Sequence, residues 1–194
     1  ITPGPVHILD WACKSQRHVC RSTFAAELLA AGDAVDQGLL LQQLVAEIET
    51  GSMTATEARQ MRLTGKGSIP MILCLDAKSV YTATIATFIK TPAEKSLLCH
   101  VQFLRELLDR GVVSALVWID TRDMVADGLT KGACDRELLH LAMNGNLRLQ
   151  HDFDSWKPKL LRLGEGESSS VSLFASQQSS SSRPLACRVE RCLQ

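Results

Sequence analysis

The sequence has no excess of charge of either sign: 21 Lys and Arg stand against 21 Asp and Glu over 194 residues. A domain that holds phosphates by bulk charge is basic, so that mode of nucleic-acid binding is excluded. The balance is uneven, with 15 basic and 18 acidic side chains in residues 1–156, then 6 and 3 in residues 157–194. No run of 18 apolar residues exists, so no segment reads as a membrane-spanning helix. No segment reads as a signal peptide either. The sequence opens on Ile1 rather than Met, which gives the expectation that it begins inside a longer product.

Zinc-ligand spacing is missing too. Cys13 and Cys20 are seven apart and Cys187 and Cys192 five apart, with no second pair at ligand spacing. Seven cysteines is an odd number in a chain long enough to fold without a disulfide scaffold. The expectation is an intracellular protein, cytoplasmic or nuclear, in which Cys74 is a small apolar residue. Thr64-Gly65-Lys66-Gly67-Ser68 lacks the Gly that a phosphate loop carries five residues before Gly65. No Gly-x-Ser-x-Gly elbow or His-Glu-x-x-His pair occurs. The His residues at 7, 18, 100, 140 and 151 are scattered and read as ordinary surface or core residues.

What is present is the composition of an ordinary globular domain, 45% hydrophobic and 22% charged. Val6 to Ala12 predicts a strand, with Pro3, Gly4 and Pro5 before it. Ser22 or Thr23 opens a long helix to about Ile48, with Phe24, Leu28, Ala31, Val35 and Leu39 at three- and four-residue steps. A short helix follows from Thr56 to Leu63. Pro70 to Asp76 predicts a strand covered on both faces. Helices are expected from Ala77 to Lys90 and Glu94 to Arg110, a strand from Val112 to Asp120, and helices from Thr121 to about Lys131 and Asp135 to Met143. A turn follows at Asn144-Gly145-Asn146. Alternating strands and helices argue an α/β domain over residues 1–150, with 151–164 a connecting segment. Nine of the fifteen residues Ser168–Ser182 are Ser, so residues 165–194 read as a disordered tail.

Three carboxylates stand in unusual places. Glu27 falls on or beside the apolar stripe of the first helix. A capping box does not account for it, because three residues after Ser22 or Thr23 comes Ala25 or Ala26. A core-facing carboxylate costs several kcal/mol, roughly, unless paired or metal-bound. Asp76 ends the most apolar strand, where Asp is first read as the N-cap of the next helix. The same position is where α/β sheets place their ligands. Asp127 shares a helix face with Asp123, and a solvated surface is the ordinary reading of such a pair. Taken in order, Glu on a helix, Asp at a strand end and Asp on a later helix can supply hard oxygen ligands for Mg²⁺.

Five blocks, in order, resemble the C-terminal ribonuclease H domain of copia-type retrotransposon polyproteins. Trp11-Ala12-Cys13-Lys14-Ser15-Gln16-Arg17 resembles the family's W-x-S-K-R-Q. Arg21-Ser22-Thr23-Phe24-Ala25-Ala26-Glu27 resembles S-S-T-x-A-E, with Glu one residue later. Leu73-Cys74-Leu75-Asp76-Ala77-Lys78-Ser79-Val80 resembles x-C-D-N-x-S-A. Phe103-Leu104-Arg105-Glu106-Leu107, with Gly111, resembles F-I-R-E-x-x-x-x-G. Thr121 to Lys131 resembles T-x-x-Q-x-A-D-x-L-T-K, the most specific block.

The resemblance covers residues 6 to about 132 and implies a ribonuclease H-like α/β fold, truncated at its N-terminal side. It implies that Glu27, Asp76 and Asp127 bind two Mg²⁺ ions, with Mn²⁺ an alternative, and cut the RNA strand of an RNA/DNA hybrid. The implied partners are that hybrid, read through its shape and 2′-hydroxyls, and an upstream reverse transcriptase domain of the same polyprotein, with no membrane. The three carboxylates are expected to converge on one side of the sheet. The family's first metal-bridging Asp lies on a strand before Ile1, and Val6–Ala12 resembles the third strand; Asp10 has no matching position. The Asn after the strand-end Asp is Ala77, Ser96–Gln102 replaces a His-rich stretch, and Thr50–Ile69 is longer than the family pattern. Residues 1–194 alone are therefore expected to cleave little or not at all. The alternatives are a catalytically dead retroelement-derived structural or interaction module and, more distantly, an unrelated α/β binding domain.

Overall fold

Ser22 starts the longest element by accepting a hydrogen bond from the Ala25 amide at 3.1 Å on its hydroxyl oxygen. It thereby satisfies one donor that a helix start leaves open. Helix α1 (Thr23–Thr50) then runs to Gly51, whose φ of 92° stops it. Ala25, Leu28, Ala31 and Val35 are buried along one side, as the three- and four-residue spacing requires. Helix α2 (Ala55–Thr64) begins on a capping box. The Thr54 amide donates to Glu57 Oε2 at 2.8 Å and the Glu57 amide to Thr54 Oγ1 at 3.3 Å. The computed structural model describes residues 5–16, 19–64, 69–132, 136–147 and 149–158.

The chain is mixed α/β. Strand β1 (Ile72–Leu75) is followed by helices α3 (Lys78–Ile85) and α4 (Leu97–Asp109) and then strand β2 (Ala115–Ile119). A 3₁₀ turn (Thr121–Asp123), short helices α5 (Asp127–Thr130) and α6 (Glu137–Met143), and strand β3 (Phe153–Trp156) complete the order. The sheet order is β1-β2-β3, with β1 parallel and β3 antiparallel to β2. Leu73 pairs with Leu116 and Cys74 with Val117, so side chains alternate in step between two faces. Leu73, Leu75, Leu116, Trp118 and Trp156 pack with α1, α3 and α4 in the main core. Cys74, Val117, Ile119 and Phe153 pack with Met124 and Ala126 on the other face. Both faces of β1 are covered as its apolar run predicts. Gly38 lets α1 come close to this layer, since a Cβ there would lie 2.7 Å from Met71 Sδ.

Several expectations change. Val6–Ala12 forms no strand: its residues are described outside any sheet. A strand persists only with a ladder partner, and this segment is tied differently. The Val6 amide donates to the Gly145 carbonyl at 3.0 Å, and Gln37 Nε2 donates to Asp10 Oδ2 at 2.7 Å. The expected helix from Thr121 to Lys131 is broken into the 3₁₀ turn and α5, with Met124 extended between them at φ −79° and ψ 104°. Asp120 caps the turn by accepting from the Arg122 amide, and Asp123 is drawn inward, which ends the helical path. The segment read as a connector, 151–164, carries β3. Helices α3 and α4 are also shorter than expected, because residues 86–96 form the link before Leu97. The tail 165–194, with Cys187 and Cys192, lies outside the described residues.

Candidate active site

Glu27, Asp76 and Asp127 come from three parts of the chain, and Glu27 feels both of the others. Glu27 sits one turn into α1, half-buried. Its carboxyl has a raised pKa, first from burial, then from Asp76; Lys131 opposes the rise and Asp127 adds to it. Asp76 follows the last residue of β1, and the Trp118 indole Nε1 donates to its carbonyl at 2.9 Å. That bond locks the strand end to its neighbour β2. The N-cap of α3 is Ala77, with no side-chain cap bond, so Asp76 is not the cap that the strand-helix junction suggested. Asp127 opens α5, and its Oδ2 lies 2.6 Å from Lys131 Nζ.

The donor chemistry of these three groups suits a hard divalent cation. The raised pKa of Glu27, part of it due to Asp76 and Asp127, is a charge crowding that a cation would relieve, and the Lys131 ammonium already opposes it. No group of three or more His, Cys, Asp and Glu among the described residues is arranged to hold a metal ion. Asp76 and Asp127 nevertheless both act electrostatically on the Glu27 carboxyl.

A second pairing escaped the sequence reading. Asp123, expected on a solvated surface, is 2% exposed. Its Oδ2 accepts from the Gln150 amide at 2.9 Å and the His151 amide at 2.7 Å, and its Oδ1 lies 3.0 Å from His151 Nδ1. The only sequence signal was Asp123 itself, since its partners lie 27 and 28 positions on. Asp127, Glu137, Arg122 and His151 line one cleft of about 380 Å³. Arg122 is already engaged there: its side chain, then its amide, hydrogen-bond to Asp120 and hold that carboxyl well below the usual carboxylate range.

No protein-family model, curated protein or solved structure matches this chain. Among the described residues no helix is long and apolar enough to cross a membrane.

Proposed function

We propose that this chain is a ribonuclease H-like domain of retroelement origin, serving hydrolysis of the RNA strand of RNA/DNA hybrids with Mg²⁺ or Mn²⁺. The observation that supports the reading is that Asp76, at the end of β1, and Asp127, on α5, both raise the pKa of Glu27 on α1. These residues would hold the metal, which when bound neutralises charge at the scissile phosphate and activates water. The chain's own contribution is positional. Trp118 pins the backbone of Asp76, α1 presents Glu27 from a half-buried position, and Lys131 balances Asp127. Recognition through hybrid shape and 2′-hydroxyls agrees with a sequence whose formal net charge is +0. The partners of this reading are the hybrid and an upstream reverse transcriptase domain. Residues 1–194 supply three carboxylates, so cleavage by them alone is expected to be weak.

The test is hybrid cleavage in Mg²⁺ by three proteins: residues 1–194, a longer chain carrying the preceding segment of the same reading frame, and that longer chain with Asp76→Asn. The expected order is little cleavage, robust cleavage, and loss. Robust cleavage by the short chain overturns the expectation of weakness, and indifference to Asp76→Asn overturns the site.

A second reading, a catalytically dead module retained for structure or interaction, is favoured by the ammonium of Lys131 at 2.6 Å from Asp127. A cationic side chain there competes with a metal ion. Failure of the longer chain to cleave supports this reading.

A further inference from the structure

Helix α1 carries apolar side chains on more than its buried side. Leu40, Leu44 and Ile48, at i, i+4 and i+8, form one stripe and are 54%, 53% and 74% exposed. Among the described residues such a row is a helix face without a cover. Its charge is one-sided: α1 holds Glu27, Asp33, Asp36, Glu47 and Glu49, and no Lys, Arg or His. Asp36 lies one turn before Leu40 and Glu47 beside Leu44, so acid borders the stripe. The pKa of Asp36 is raised, by burial and then by the like charge of Asp33.

We propose that residues 183–194 of this same chain dock on that stripe. In the sequence Arg183 to Gln194, Leu185, Val189 and Leu193 also stand at i, i+4 and i+8. Arg183, Arg188 and Arg191 accompany them against the single acid Glu190. On helical spacing the three apolar residues share one face, with Arg188 beside it and Arg191 on the far side. The segment thus matches the stripe in spacing and opposes it in charge, the pattern of an amphipathic helix laid on a helical groove. Tether length permits it. Residues 159–182, 24 in all, separate Pro158 from Arg183. A Ser-rich tether of that length has a root-mean-square span of about 27 Å, against roughly 42 Å for the whole of α1. Docking within one chain also gains an effective concentration in the ~mM range. A second copy of α1 is a poor occupant, because it would set five acids against five.

The experiment uses the full chain and follows the methyl resonances of Leu40, Leu44 and Ile48. Leu185→Asp with Val189→Asp in one variant, and Arg188→Glu with Arg191→Glu in another, are expected to shift those methyls while leaving the buried methyls of Leu116 in place. Raising NaCl to 0.5 M is expected to move the unaltered chain part-way in the same direction. Methyls that do not respond to either variant overturn the proposal. So do methyls that shift with protein concentration and ignore the variants, since a second copy then covers the stripe.

Discussion

Asp123 Oδ1 and His151 Nδ1 meet at 3.0 Å, across 28 positions of sequence. The carboxylate is buried and its other oxygen accepts two backbone N–H groups, from Gln150 and His151. One side chain thus fixes the 3₁₀ turn after β2 to the chain entering β3. Removing it would take the acceptor from both amides, and hydrogen bonds to a charged group are worth about 1.5–3 kcal/mol each.

Asp123→Ala is expected to lower stability by roughly 2–4 kcal/mol, with Asp123→Asn recovering part of it through its remaining oxygen. Urea unfolding of the three proteins measures this. A loss within 0.5 kcal/mol or so of a surface substitution would show that the pairing contributes little.

Glu27→Gln is expected to stabilise the protein at pH 7. The folded pKa of Glu27 is raised above its ordinary 4.5, so the folded state holds that proton more tightly than the unfolded chain. Ionisation of Glu27 therefore subtracts stability as pH rises from 4.5 through the folded pKa. Gln cannot ionise, so its advantage appears above that window and fades below it. Unfolding at pH 4 and pH 7 checks the sign; an advantage equal at both values would rule out ionisation as its source.

Lys131→Met is expected to push the Glu27 pKa higher still, because Lys131 is the group that lowers it. The direct readout is the carboxyl carbon resonance of Glu27 followed through a pH titration. A fall, or no movement, would mean that Lys131 does not reach Glu27 in solution.

Arg105→Lys is expected to cost about 1–2 kcal/mol despite keeping the charge. Arg105 Nη1 donates to the carbonyls of Thr84 at 2.8 Å and Ala86 at 3.1 Å, and its guanidinium lies 5.0 Å from the Trp156 ring centroid. It ties the end of α3 to β3 through α4. Lysine lacks the planar fork for both tasks. Thermal unfolding of Arg105→Lys beside Arg105→Met separates lost hydrogen bonds from lost packing; a lysine variant as stable as the parent would refute the clamp.

Local pattern made α1, β1 and β2 legible in the sequence. Ser22 is a cap by chemistry, and the spacing of Leu28, Ala31 and Val35 is a property of the helix itself. Strand β3 was not legible. Phe-Asp-Ser-Trp has two polar residues in four, and it is a strand because Leu116 to Ile119 lie alongside it. Val6–Ala12 fails in the opposite way, since its pattern is strong and no strand pairs with it among the described residues. At the site, Glu27 was visible because nothing local accounted for it. Asp123 was invisible because the amides it serves are far along the chain. The N-cap reading of Asp76 fell because the helix starts one residue later, from Ala77.

Every rung of the sheet joins residues 34 to 43 positions apart, from Ile119 with Phe153 to Ile72 with Ala115. No hairpin exists among these strands to nucleate pairing, so the sheet forms by closing long loops, which is slow. During synthesis β1 waits unpaired until β2 has been made, and β2 waits for Trp156. Helix α4 closes locally and can form in that interval. Pulse-labelled hydrogen exchange on refolding is therefore expected to protect amides of Val101 to Leu108 ahead of those in β3. The interval before the strands close is when apolar runs such as Pro70 to Leu75 are open to wrong partners, which makes the speed of chain production itself a determinant of yield.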